Sequence, residues 1–93
     1  MFKQNCPLCE RMASFEARDF GRRKAFLCEH CAEYIISNAA EARIQSAPTD
    51  WKDKLSARAK AAPNGKVLLI TLPAASTQTG LATEEFHLEY VPR

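Results

Sequence analysis

The stretch CPLCERMASFEARDFGRRKAFLCEHC, residues 6–31, holds every cysteine in the chain, as two C-x2-C pairs separated by 18 residues. A C-x2-C turn aims two sulfurs at one point while its backbone N–H groups stabilise their negative charge, and two such turns complete a tetrahedron around an ion. The spacing falls within the range of zinc sites. The reading is one zinc ion held by Cys6, Cys9, Cys28 and Cys31. A rubredoxin-like iron site, a redox dithiol and free cysteines are the lesser alternatives. Four thiolates leave no open position for water or substrate, so the metal is expected to be structural and not catalytic. His30, between two ligands, is expected to point into solvent.

Between the pairs, Ala13–Arg18 and Lys24–Cys28 read as two short strands joined at Asp19-Phe20-Gly21-Arg22, where Gly21 can take a positive φ. The hairpin brings the two pairs together. Its tip is basic, and Arg22, Arg23 and Lys24, with Arg18 and Arg11 nearby, are the candidate nucleic-acid contacts. Cations there can grip phosphates while Phe20 or Phe26 stacks on a base. The competing reading is that these cations balance the negative charge of the metal–thiolate centre.

After the second pair, Tyr34–Ile36 reads as a third strand, and Ser37 as the cap of a helix from Asn38 to about Ser46 that Pro48 stops. One continuous helix with a stripe of Ala32, Ile36, Ala40, Ile44 and Ala47 is the alternative. A second helix starts at Thr49 as N-cap and ends at Pro63-Asn64-Gly65, with Trp51, Leu55, Ala59 and Ala62 on its core face. Residues 67–72 are apolar on both faces, as in a covered strand. Phe86, Leu88 and Tyr90 alternate with His87 and Glu89, as in an edge strand whose wet face carries His87. These two are expected to pair antiparallel, joined by a mobile connection at residues 74–83.

The composition sets limits. Ninety-three residues, 46% hydrophobic and 26% charged, suit one small packed domain that a cross-link would help to fold. The formal charge of +2 assumes neutral thiols; four thiolates on a divalent ion bring the metal-loaded chain close to zero, which argues against a strongly electrostatic nucleic-acid binder. No apolar run approaches the ~20 residues needed to span a bilayer, and no export signal is evident, so a cytoplasmic location without membrane contact is expected. There, paired C-x2-C motifs are metal ligands more often than disulfides. No nucleophile elbow, phosphate loop or H-E-x-x-H is present, and Glu84, Glu85 and Glu89 read as edge protection, so an enzyme is not expected.

CPLC followed by a hairpin and CEHCAEYIISNAAEARI resembles the zinc ribbons of small uncharacterised bacterial and phage proteins, in which an aromatic, a β-branched residue, Ser or Thr and an alanine-containing helix follow the second pair. Tyr34, Ile36, Ser37 and Ala40 stand at those positions, and WKDKLSARA is similar to the second helix of such proteins. Phe26-Leu27-Cys28 and Cys31-Ala32 also resemble the treble-clef zinc-binding domain of the ClpX unfoldase, which would imply a dimerising, adaptor- or substrate-binding module. Glu10 and Ala32 depart from both patterns, since glycine often follows the second cysteine of a knuckle.

The expected architecture is thus α+β: a small zinc-ribbon or treble-clef hairpin, two short helices and a C-terminal antiparallel strand pair. Residues 1–93 form one domain, with 1–36 the zinc-binding part and 37–93 the helical segment and final strands. The expected role is a non-enzymatic module for a protein partner. A nucleic-acid-binding ribbon using Arg22, Arg23 and Lys24 is the alternative, and a zinc–thiolate redox switch at Cys6, Cys9, Cys28 and Cys31 is a third.

Overall fold

The computed structural model describes residues 2–72 and 86–92. The chain runs β1 (Phe2–Asn5), β2 (Met12–Arg18), β3 (Arg23–Cys28), β4 (Ala32–Ser37), α1 (Asn38–Ile44), α2 (Thr49–Lys60), β5 (Lys66–Thr71) and β6 (His87–Pro92). All six strands lie in sequence order in one sheet. Every neighbouring pair is antiparallel except β4 and β5, which run parallel because the two helices carry the chain back between them. The class is α+β with strands dominating; the C-terminal antiparallel pair is as expected, whereas β1 was not expected, and hairpin, third strand and final pair join in one sheet.

Side-chain alternation decides which face is core. Phe2, Phe15, Phe26, Tyr34, Leu68 and Tyr90 stand opposite one another along a single row that crosses all six strands. Ring centroids in the first part of this row are 5.5, 5.4 and 5.3 Å apart, within the range for favourable aromatic pairs. Ile44 of α1 and Leu55 and Ala59 of α2 join the same core cluster as Phe26, Tyr34, Leu68 and Ile70. Val67 and Leu69, of opposite parity, are buried as well, so β5 is the covered strand its uninterrupted apolar run implies.

The local signals explain most element ends. Ser37 has extended backbone and its hydroxyl accepts from the Ala40 N–H at 3.1 Å, as an N-cap does, so strand and helix divide there. The continuous-helix alternative is excluded. Thr49 is the first helical residue and Pro48 occupies the cap position, which corrects the expected cap by one residue. Pro48 offers no hydroxyl, and its fixed φ suits the extended conformation just before a helix. The edge strand β6 is tied back to α2 by the Tyr90 hydroxyl, which donates to the Arg58 carbonyl at 2.9 Å. The expected mobile connection at 74–83, with Glu84 and Glu85, lies outside the described residues.

A partly buried polar cluster fastens α1 to the sheet. Lys24 Nζ lies 3.0 Å from Glu41 Oε1 and donates to Gln4 Oε1 at 2.9 Å, while Gln4 Nε2 donates to Glu41 Oε2 at 2.8 Å. Three elements, β1, β3 and α1, meet in this triangle, and the ammonium also lies 4.8 Å from the centre of the Phe15 ring.

Candidate metal centre

Both knuckles sit at the same end of the sheet, because each closes an antiparallel pair: Asn5 stands opposite Met12 and Cys28 opposite Ala32. The β2–β3 turn necessarily falls at the other end. The four Sγ atoms lie within 4.8 Å of one another, with Cys9–Cys28 at 3.5 Å and Cys6–Cys31 at 3.9 Å. A regular tetrahedron of sulfurs about 2.3 Å from a central ion has edges of about 3.8 Å. The cluster fits a tetrathiolate ion, and the separations are far too long for disulfides, in line with four free cysteines. All four ligands expected from sequence are brought together.

The knuckles repeat each other. In the first, the N–H groups of Leu8 and Cys9 hydrogen-bond to the Cys6 sulfur; in the second, those of His30 and Cys31 serve Cys28. The residue after each pair is left-handed, Glu10 at φ 65° and Ala32 at φ 70°. Glycine belongs in that geometry, so the two departures noted in the sequence are carried as backbone strain. Glu10→Gly and Ala32→Gly are each expected to raise the stability of metal-loaded protein by up to about 1 kcal/mol, the relieved strain exceeding the added freedom of the unfolded chain. Thermal unfolding checks this, and a lowered midpoint in both variants would contradict the strain.

Two hydroxyls that were not among the expected site residues touch the sulfurs. Tyr34 Oη is 2.9 Å from Cys6 Sγ, and Ser56 Oγ donates to Cys31 Sγ at 3.1 Å. Tyr34 belongs to the core row and Ser56 to the buried face of α2, so sheet and helix both complete the site. A serine between Leu55 and Ala59 on an otherwise apolar face was the available signal.

Burial pushes the Cys6 and Cys31 thiols up, against the lowering effect of Tyr34 and Ser56 respectively. At Cys28 burial also raises the thiol, but the Cys31 and His30 N–H groups and the neighbouring thiols outweigh it, and the net shift is downward. Tyr34 is driven up, first by burial and then by the negative sulfur beside it, so its hydroxyl stays protonated and available to donate. Metal uptake therefore has to displace protons from Cys6 and Cys31, and binding weakens as pH falls.

His30 and His87 are exposed, and His87 Nε2 is 3.8 Å from Glu89 Oε1. The basic trio separates. Lys24 is committed to Glu41 and Gln4, Arg23 faces Asp19 at 4.0 Å, and Arg22 lies on the exposed turn. The five residue steps of β3 from Arg23 to Cys28 span about 17 Å, beyond the Debye length of about 8 Å at physiological salt. At that separation Arg22 and Arg23 do little to balance the thiolate charge.

The turn itself is unusual. Asp19, Phe20 and Gly21 are all left-handed, at φ 52°, 58° and 84°. The Gly21 N–H donates to Arg18 and the Arg22 N–H to Asp19, while the Asn38 N–H donates to the Arg22 carbonyl at 2.9 Å and the Asn38 side chain to that of Gly21. The first residue of α1 thus holds the turn in place. Phe20 at its apex is fully exposed, at 102% of its reference surface. No helix among the described residues is long and apolar enough to cross a membrane. No family model, curated protein or solved structure matches this chain.

Proposed function

We propose that the chain is a non-enzymatic, cytoplasmic binding module in which one structural zinc ion at Cys6, Cys9, Cys28 and Cys31 holds a sheet that presents the β2–β3 turn to a protein partner. The observation that carries the reading is Phe20, a large aromatic held fully in solvent on a left-handed backbone that costs about 1 kcal/mol or more. Aromatic side chains beside arginines are the usual anchors of protein interfaces. Zinc is favoured by the all-sulfur tetrahedral set, and four protein ligands leave it no site for substrate. The scaffold is closer to a zinc ribbon than to a treble clef, since the chain after Cys31 continues as a strand and turns helical only at Asn38.

A second reading rests on the same turn: Phe20 stacking on a base while Arg22 and Arg23 contact phosphate. The near-neutral metal-loaded charge and the commitment of Lys24 to Glu41 weigh against it. The test is affinity purification from the native host with zinc-loaded wild type and Phe20→Ser, quantified by mass spectrometry. A specific protein is expected to drop at least about tenfold with Phe20→Ser, as for a hot-spot aromatic. Equal recovery would remove the turn as the docking element. Salt-sensitive binding of single-stranded DNA or RNA, lost with Phe20→Ser, would favour the second reading.

A further inference from the structure

The four sulfurs are not equally protected. Cys6 receives two backbone N–H groups and the Tyr34 hydroxyl, Cys28 receives two backbone N–H groups, and Cys31 receives the Ser56 hydroxyl. The Cys9 sulfur lies 3.5 Å from that of Cys28. Cys9 is the one ligand that is partly exposed, the other three being buried. Burial denies a reagent access to a thiolate, so exposure selects Cys9, and the nearby Cys28 sulfur is placed to react with it next.

We infer that Cys9 is an oxidation site through which a hydroperoxide opens the metal centre, with Cys28 as its resolving partner. This rests on the proposed tetrathiolate zinc. The Cys9 thiolate attacks the terminal oxygen of the hydroperoxide; an S–O bond forms, the O–O bond breaks, and alkoxide or hydroxide leaves. Sulfur loses two electrons and becomes the sulfenic acid. The Cys28 thiolate then attacks the Cys9 sulfur and displaces hydroxide, forming the Cys9–Cys28 disulfide. In all, two thiolates, one hydroperoxide and two protons give one disulfide, one alcohol or water, and one further water. With two ligands consumed, the zinc ion passes to solvent.

The pairing matters, because the disulfide joins one knuckle to the other. Cys9 lies at the end of the first and Cys28 at the start of the second, so the oxidised chain keeps its knuckles together after the ion has gone. Reduction by a thiol reverses the bond and regenerates all four ligands.

The experiment starts from zinc-loaded full-length protein whose metal content has been measured. One zinc per chain secures the underlying reading, and a zinc-free purified protein would strike that reading separately. One equivalent of hydrogen peroxide is then added with and without dimedone, and the products are mapped by mass spectrometry. The expected result is the dimedone adduct on Cys9 and, without dimedone, the Cys9–Cys28 disulfide formed in step with zinc release. A major adduct on Cys6, Cys28 or Cys31, or a first disulfide that omits Cys9, overturns the proposal. Cys9→His preserves a four-ligand site of a known kind, and peroxide-driven zinc release from it is expected to slow at least about tenfold. Release at the wild-type rate from zinc-loaded Cys9→His would also overturn it. Where that variant fails to retain zinc, the wild-type product map decides.

Discussion

Chelation of the metal, or Cys28→Ser, is expected to unfold the knuckle end of the sheet and to carry β4, β5 and α2 with it. Cys6, Leu8, Ala13, Cys28 and Cys31 are all members of the one core cluster, so the ligands are also part of the packing. Structural zinc contributes roughly 10 kcal/mol or more at neutral pH, comparable with the total of about 5–15 kcal/mol for a small domain. Sequence composition alone suggests that the segment after Thr49 keeps part of its fold around Trp51. The sheet topology argues otherwise, because β4 pairs with β3 on one side and β5 on the other, and Ser56 of α2 bonds to a ligand. Trp51, whose ring lies 6.2 Å from that of Phe86, reports on the far side of the core. Amide exchange and Trp51 fluorescence on the chelated protein test this together. Native protection at residues 6–31 without metal would show that the ion does not hold the fold.

Glu41→Ala is expected to destabilise the metal-loaded protein by about 2–4 kcal/mol, since it strands a largely buried ammonium. The Lys24 and Glu41 side chains are only 26% and 9% exposed, whereas Arg23 and Asp19 are 41% and 48% exposed and their 4.0 Å pair is worth about 1 kcal/mol at most. The loss has two parts: the Lys24 charge lacks its counter-ion, and Gln4 Nε2 loses its shorter acceptor, keeping only the Asn5 carbonyl at 3.3 Å. Replacing both charges, as Lys24→Met with Glu41→Leu, is expected to recover most of the stability, because two apolar side chains remove the desolvation cost together. Urea unfolding with zinc present measures all three proteins. A single variant within about 0.5 kcal/mol of wild type would mean that Lys24 reaches water when its partner is gone.

The cysteine spacing and the hairpin between the pairs were legible because both are local: two turns and a glycine at 21 specify them without reference to the rest of the chain. Ser37 as a cap, the covered strand at 67–72 and the alternating edge strand from Phe86 were readable for the same reason. The strand Phe2–Asn5 was not, since four residues without alternation of burial carry no periodic signal and owe their conformation to pairing with β2. Nor was the parallel match of Tyr34 with Leu68, which depends on how two helices fold back over the sheet. At the site, the ligands were evident and their supporting hydroxyls were not. Tyr34 and Ser56 are 28 and 25 residues from the sulfurs they touch, and no pattern in one sequence connects them. Lys24 looked like part of a basic patch until its distant partner Glu41 could be seen.

The parallel junction of β4 and β5 also sets an order of assembly. Strands β1 to β4 follow one another through short turns, so the loops that must close are small and the knuckles can meet as soon as residues up to about Ser37 leave the ribosome. Joining β5 to β4 instead requires both helices to be in place, a slower and less local event. During synthesis the ion can therefore be captured by a nascent meander in which Ser56 has not yet reached Cys31. The Ser56 hydroxyl reaches the Cys31 sulfur only once α2 has docked, so the four ligands can meet before that hydrogen bond forms.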